Sequence, residues 1–513
     1  MSRSGQRGGT TIYPQHPATG GARPYLHTYW HYALLLLFLL TCAAFYAVPL
    51  WDSDFWWHIA SGRDILQQGR LPDADPFGVF GAGDAVRNDT VLKGQWLGQV
   101  VLYKVFALSG IDGVLALRVL VLLACIGLVY ARARLLNAAP AALWLVLALV
   151  GLNAPDFAGE RPQLLSFLFA ALFFLFVDLT VARRDWRWLL PLPLISLLWA
   201  NSHGGVILGV VLLGLVTFFQ VLRKDADGRW RLTWLLAWGL VVIASLLTPN
   251  GIKTYYYLLD LEGSTLQSRT SEYVSALKIY TLGFVWPQAW AYGFFAATLA
   301  AAVSWWRARQ WQWLALGLFL AAISVSAFRY FAFLIFLVAP YVAAGLSQGF
   351  NIFSARRARP IAEGVTTGVL VLALVVGGSR GMLFQGGFYQ AAYPVAAADF
   401  VQQQGLRGRA FNSLEWGGYL LWRLGPSVQL YIDGRMLDQQ RFAPYTHILW
   451  ATPPGLQWFE REDFDLVILP YHGRFDPERY KLIDHLAARR DWVMVYSDAQ
   501  GVVFQRRRGV GHG

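Results

Sequence analysis

Long apolar runs dominate the chain as far as about residue 380 and then stop. The first is YWHYALLLLFLLTCAAFYAVPL, and later ones such as TWLLAWGLVVIASLLT repeat the pattern. About 20 apolar residues cross the hydrocarbon core of a bilayer as a helix. A helix is required there because every backbone N–H and C=O must find its partner within the chain. The pattern predicts eleven spans, at roughly 29–50, 111–131, 138–154, 163–182, 188–201, 205–222, 233–248, 286–306, 311–328, 330–349 and 361–379. Beyond residue 385 the pattern changes. The short runs VQLYID, FDLVILP, WVMVYS and GVVFQRR read as strands; AAADFVQQQG, WGGYLLWRLG and DPERYKLIDHLAARRD read as helices, the last with Asp476 as N-cap and Pro477 at its first position. Strands alternating with helices predict a small α/β domain. The expected fold class is a polytopic α-helical membrane protein with a C-terminal α/β domain. The expected divisions are a disordered tail at 1–28, a transmembrane domain at 29–380 with a long loop at 51–110, and the α/β domain at 385–513.

Composition agrees with this reading. Of 513 residues 56% are hydrophobic and 14% charged, against about 25% charged in a typical soluble protein. The net charge of +12 is not a nucleic-acid footprint, because its sources are confined to short connections. Arg3, Arg7 and Arg23 precede the first span. Arg132/Arg134, Arg183/Arg184/Arg187, Arg223/Lys224/Arg229/Arg231, Arg307/Arg309 and Arg356/Arg357/Arg359 recur after every second span. This positive-inside pattern puts those loops and the N-terminus in the cytoplasm, and the odd number of spans puts the C-terminal domain outside it. No cleavage site follows the first run, which reads as a retained signal anchor. Cys42 and Cys125 lie within spans and read as small buried hydrophobes. No internal repeat marks an inverted-repeat transporter.

Polar residues gather at the outer ends of the spans. PLWDSDFWWHIASGRDILQQG supplies Asp52, Asp54 and His58; PDFAGERPQ supplies Glu160 and Arg161; WANSHGGV supplies Asn201 and His203. Lys253 lies in TPNGIKTYYY and Arg329 in SAFRYF. Charges near a membrane are costly and are usually paired or functional. A single outward cavity, acidic on one wall and basic on another, accounts for all of them. Simpler readings exist for several. Trp51, Trp56 and Trp57 fit an interfacial aromatic belt, and two amphipathic stretches of the 51–110 loop fit helices lying on the membrane surface. His203 can cap a hairpin, Arg161, Lys253 and Arg329 can snorkel to headgroups, and Arg118 pairs structurally. WGGYLLW and YIDGR read as turns and packing. Asn88-Asp89-Thr90 matches a glycosylation acceptor, a three-residue pattern of little weight.

The acidic motif opening a first long outer loop, the many spans and the C-terminal outer domain resemble the GT-C glycosyltransferases. That superfamily includes protein O-mannosyltransferases, lipid A aminoarabinose transferases and oligosaccharyltransferases. DSDFWWHIASGRDIL…GRLPDADPF, RPQLLSFLF, WANSHGG, LLTPNGIKTYYY and FNSLEWGGYLLW…YIDGR are similar to a group of bacterial multi-pass membrane proteins of that type. The resemblance implies a polyprenyl-phosphate-linked sugar donor, an acceptor outside the cytoplasm, and the bacterial cytoplasmic membrane as location. It implies Asp54, with Asp52 second, as the acid that takes the acceptor's proton. Arg161, Arg329 and Lys253 are candidates for steadying the leaving phosphate. His58, four residues after Asp54, shares its helical face, so the two are candidates for a divalent cation such as Mg or Mn. The sequence lacks both the Arg-x-Asp-Glu arrangement of mannosyltransferases and the Trp-Trp-Asp signature of oligosaccharyltransferases. A lipid or glycan transporter and a non-catalytic assembly platform are the alternatives from other classes.

Overall fold

The structure, a computed structural model, describes residues 25–78, 90–157, 159–256, 273–278, 281, 285–355, 357–435, 437, 439–473 and 478–507. The Asn88-Asp89 part of the glycosylation pattern, the Asp476–Pro477 cap and nearly all of the N-terminal tail lie outside these residues. The protein is a multi-pass helical membrane protein. Its helical segments are α1 (Tyr25–Tyr46), α2 (Asp54–Gln68), α3 (Trp96–Leu135), α4 (Pro140–Asn153), α5 (Gln163–Arg183), α6 (Leu192–Ser202), α7 (Val206–Val221), α8 (Gly228–Leu246), α9 (Val285–Arg307), α10 (Trp311–Ser326), α11 (Phe328–Gly349) and α12 (Ala358–Ser379). Each of the eleven predicted spans coincides with a helical segment. Seven are long and apolar enough to cross a bilayer among the described residues. The 11-residue α6 reaches only about 16 Å at 1.5 Å per residue, short of a full crossing.

α3 joins a stretch outside the bundle to a span without a loop. Its 40 residues are interrupted at Gly110, whose φ of 64° and ψ of −158° lie in a region that glycine occupies at low cost. One apolar core fills the bundle, from Phe38 and Trp144 to Phe167, Trp305 and Phe336. Buried in it is a polar network that the sequence does not announce. Arg132 has the spacing of a loop charge, yet it is fully buried. It donates to Asp178 Oδ2 at 2.7 Å and to the carbonyls of Phe336 and Leu337 at 3.2 and 3.1 Å. Those carbonyls belong to a wide helical turn at Leu334–Val338, and the guanidinium supplies partners for them. Tyr341 donates its hydroxyl to the other oxygen of Asp178 at 2.6 Å.

The C-terminal part folds around a five-stranded sheet, β1 (Gly408–Asn412), β2 (Val428–Leu430), β3 (Leu466–Pro470), β4 (Trp492–Ser497) and β5 (Gly501–Arg506), in the order β2-β1-β3-β5-β4. β1 pairs in parallel with both β2 and β3, and β5 pairs antiparallel with β3 and β4. α13 (Val395–Gln403) and α14 (Leu414–Leu424) pack on one face. The strand GRAFN is not anticipated from sequence. Asn412 at its end is buried and holds the chain after β2, accepting from the Tyr431 N–H at 3.0 Å and donating to the Ile432 carbonyl at 2.7 Å.

The sheet domain is joined to the loop that follows α1. Phe55, Trp56, Trp57 and Ile59 of α2 share one apolar cluster with Tyr393, Trp416, Tyr419 and Leu420. Trp56 sits edge-on to Tyr419 and Tyr393, with centroids 4.9 and 5.6 Å away. α2 therefore does not lie open on a membrane surface. Trp56 and Trp57, expected as interfacial anchors, are 3% and 5% exposed because the C-terminal domain covers them. Gly78 also forms a parallel bridge with Leu430, extending the sheet at its β2 edge.

Candidate functional site

The opening acidic motif folds into a turn that starts α2. Asp52 Oδ1 accepts the backbone N–H of Asp54 at 3.0 Å, satisfying one of the donors a helix start leaves over. Both carboxylates sit at the positive end of the α2 dipole, where negative charge is favoured. Arg161 reaches them from the connection between α4 and α5. Its Nε donates to Asp52 Oδ2, and its Nη1 lies 3.1 Å from Asp54 Oδ2. Gly159 permits this approach, since a Cβ there would strike Asp52 Oδ2. Asp52 is sealed, with a side chain 1% exposed, while Asp54 and Arg161 keep 21% and 24%.

Glu160, the preceding residue, turns the other way. Its carboxylate pairs with Arg118, both side chains being fully buried. Arg118 also donates to the carbonyl oxygens of Tyr46, at 2.8 Å, and Val48, closing the end of α1. This is the structural pairing expected for Arg118. Asn201 accepts from Trp96 Nε1 at 2.8 Å and donates to the Leu197 and Leu247 carbonyls at 2.9 and 3.0 Å. It ties three helix ends together. His203 Nδ1 accepts the Gly205 N–H at 3.0 Å and lies 2.8 Å from Ser166 Oγ. It holds its hairpin, and its ring proton is thereby left to Nε2.

His58 is buried at the centre of α2, its ring 3.5 Å from that of Trp57 and its Nδ1 without a hydrogen-bond partner. Burial, reinforced by the positive charge of Arg161, holds its pKa well below the usual histidine value, so the ring is neutral. The structure does not bring Arg329 and Lys253 onto the carboxylates. Among the described residues Arg329 donates to the Tyr273 hydroxyl at 2.7 Å and packs over that ring, and Lys253 is exposed. A hollow of about 650 Å³ between Phe106, Ser109–Asp112 and Gly386–Phe388 holds none of the expected site residues.

Among the described residues the donor set does not fit a divalent cation, since a guanidinium already bridges the two carboxylates. No group of three or more His, Cys, Asp or Glu converges among the described residues.

The C-terminal domain supplies a further wall, from motifs that in sequence read as turns and packing. Gly418 of α14 lies against the turn, since a Cβ there would be 2.6 Å from the Ser53 carbonyl. A Cβ on Gly434 would run into Asp54 Oδ1 and stand 3.3 Å from Trp57 Nε1. The Gly434 turn is pinned by Arg435, which is 4% exposed. Arg435 binds Asp433 Oδ2 at 2.7 Å and Asp75 through both oxygens, at 2.5 and 3.0 Å. The motifs GRLPDADPF and YIDGR are the sequence trace of this clasp, but 360 residues separate Asp75 from Arg435.

No protein-family model and no curated protein matches the chain. Several solved structures share its fold. One is the archaeal oligosaccharyltransferase AglB from Archaeoglobus fulgidus in complex with an inhibitory peptide and a dolichol-phosphate. It has TM-score 0.59 and 11% identity, over 87% of this chain and 70% of that one. The Archaeoglobus fulgidus oligosaccharyltransferase in complex with Zn and sulfate gives 0.60 and 11%, over 85% and 68%. ArnT from Cupriavidus metallidurans bound to undecaprenyl phosphate gives 0.52 and 14%, over 93% and 97%. The chain has the fold of these proteins, the GT-C fold that its motifs resemble.

Proposed function

We propose that the protein is a membrane glycosyltransferase that moves a sugar from a polyprenyl-phosphate donor to a hydroxyl of a protein, lipid or glycan. The reaction takes place on the extracytoplasmic face of a bacterial cytoplasmic membrane. The reading rests on one observation above the others. Two carboxylates at the start of α2 share one arginine, and only Asp54 and Arg161 keep contact with the surroundings. The fold supports it, since AglB and ArnT have been solved with dolichol-phosphate and undecaprenyl phosphate, lipids of one chemical class.

The chemistry asks for two charges of opposite sign. The acceptor oxygen attacks the anomeric carbon, the bond from that carbon to the phosphate oxygen breaks, and the acceptor's proton passes to Asp54. The polyprenyl phosphate leaves with one more negative charge than it brought. Arg161, anchored on Asp52, turns its Nη1 from Asp54 to the incoming phosphate. That movement takes the guanidinium off Asp54, the base, and places a cation where negative charge develops. Asp52 is then the anchor of Arg161 rather than a second base. Arg161, one of the three cations that the sequence suggests for the leaving phosphate, supplies this charge without a metal held by Asp54 and His58. Lys253 and Arg329 would serve the lipid headgroup only at a distance from the carboxylates.

Replacement of Asp54 by Asn keeps the shape of the site and removes the base. The folded protein should lose transfer by about 10²–10⁴-fold, the usual range for a general base. Transfer is followed in membranes as radiolabelled sugar passing from the lipid to the acceptor fraction. Full activity of Asp54→Asn would remove Asp54 from the mechanism, and no transfer by the parent protein would leave the assembly-platform reading in its place.

A further inference from the structure

The short turn between α9 and α10 lies at the end of the bundle away from the carboxylates. Phe328, just beyond α10, packs on Phe157 in the connection that carries Arg161, with ring centroids 4.8 Å apart. The 16 residues of α10 put its other end about 24 Å away, at 1.5 Å per residue. There Trp306, Arg307, Arg309 and Trp311 line an open hollow of about 490 Å³. The two indoles meet edge to face at 5.1 Å and are 62% and 42% exposed, as suits a membrane–water interface. Both arginines are exposed. Among the described residues neither guanidinium has a hydrogen bond or an ion pair.

Another turn of the protein shows what such an arginine holds. Arg184 follows α5 with φ 53°, and Arg309 follows α9 with φ 54°. Both lie in the left-handed region that glycine occupies at low cost and other residues rarely adopt. Arg184 puts its side chain to use. It pairs with Asp225 at 2.9 Å and stands over the Trp230 ring at 5.4 Å. Arg309 has indoles beside it but no carboxylate. Trp311 begins α10, and that helix start has neither a side-chain cap from Gln310 nor an acid in its first turn. The chain thus supplies two cations and two indoles here and, among the described residues, no acid to pair with them.

We propose that this hollow binds the phosphate of an anionic phospholipid in the leaflet on that side of the membrane. The guanidiniums donate to the phosphate oxygens, and the indoles flank the headgroup. A lipid fits better than a soluble phosphate because Leu299, Val303 and Trp306 are all exposed and share one face of α9 at helical spacing. That apolar track leads from the hollow along the membrane-facing side of the helix and suits acyl chains. The site is separate from the transfer reaction. It lies on the side where the spacing of basic residues predicts the cytoplasm.

The test uses the full chain in nanodiscs of phosphatidylcholine with or without phosphatidylglycerol. Native mass spectrometry should find phosphatidylglycerol retained by the parent. Each arginine at an anionic surface is worth about fivefold in occupancy, so Arg307→Gln/Arg309→Gln should retain about 25-fold less. Arg229→Gln/Arg231→Gln removes the same charge from exposed arginines at the start of α8 and should retain the lipid as the parent does. No retention by the parent, or equal losses in the two double variants, would overturn the proposal. If inorganic phosphate displaces the lipid at equal concentration and ionic strength, the ligand is a soluble anion and the proposal also falls. Arg309→Gly separates binding from folding, because glycine suits φ 54°. In phosphatidylcholine alone this variant should melt close to the parent, yet lose about fivefold in retention. A clearly lower melting temperature would mean that Arg309 serves the turn itself, and the proposal would be wrong. Should the double variant at Arg307 and Arg309 not fold, Arg309→Gly decides alone.

Discussion

Glu160 and Arg161 are neighbours in sequence and opposites in space. Glu160 turns inward to Arg118, in a pair with no exposed surface on either side chain. Arg161 turns to Asp52 and Asp54 and keeps 24% of its side chain in contact with the outside. Both are arginine–carboxylate contacts at one end of the bundle. The first spends one further nitrogen on the carbonyls that end α1, and both of its side chains are sealed from any ligand. The second leaves an arginine open to the outside. What separates the two contacts is their exposure, not their residue type or their position in the chain.

The largest effect that sharpens this comparison is the loss of transfer in Asp54→Asn, with melting unchanged. Arg118→Ala is its counterpart. It leaves Glu160 buried without its cation, which costs about 3–5 kcal/mol, and should appear as a lowered melting temperature in detergent whether or not donor lipid is present. Arg161→Ala tests whether the guanidinium stands in for a metal. Transfer should fall by about 10²–10³-fold, as when one charge-stabilising donor is removed. Asp52 and Asp54, without the guanidinium between them, should then bind Mn²⁺, visible by electron paramagnetic resonance, while the parent protein should show no such signal and be unaffected by chelators.

A smaller effect concerns His58. Its folded pKa is depressed by burial, so the unfolded chain takes up the proton more readily. Its favourable contribution is whole above the unfolded value of about 6.5 and declines as pH falls below it. Melting should drop between pH 7 and 5, and His58→Gln should flatten the curve. Lys253→Ala and Arg329→Ala should change transfer least, within about twofold, as for charges away from the reacting atoms. A loss comparable to that of Arg161→Ala would bring those cations back into the site.

The membrane segments are legible because an apolar run of helical length has little use except to cross a bilayer. Charges within one turn of a span end are not. Arg132 looks like any loop arginine in sequence, and nothing around Asp178 marks it as the partner. Trp56 and Trp57 show a second ambiguity. Aromatic residues beside a span look the same whether lipid or a folded domain covers them, and here it is the domain. Asp52, Asp54 and Arg161 stand out as polar residues in apolar surroundings, but their direct contact needs the turn at Gly159 and cannot be read from spacing. The clasp of Asp75 with Arg435 is least accessible of all. Single-chain patterns carry no sign of which distant turns meet, and GRAFN, short and without alternation, gives no strand signal either.

The bridge between Gly78 and Leu430 has a practical corollary. Strand edges with unpaired backbone invite other chains to add themselves. In the intact protein, the rim at β2 is occupied by a residue from the far end of the polypeptide. A fragment cut before residue 385 to obtain a water-soluble piece would bare that rim together with the tyrosine and tryptophan faces that α2 had screened. Such a fragment should stick to itself, and crystallographers wanting it monodisperse would do better to graft residues 54–78 onto it.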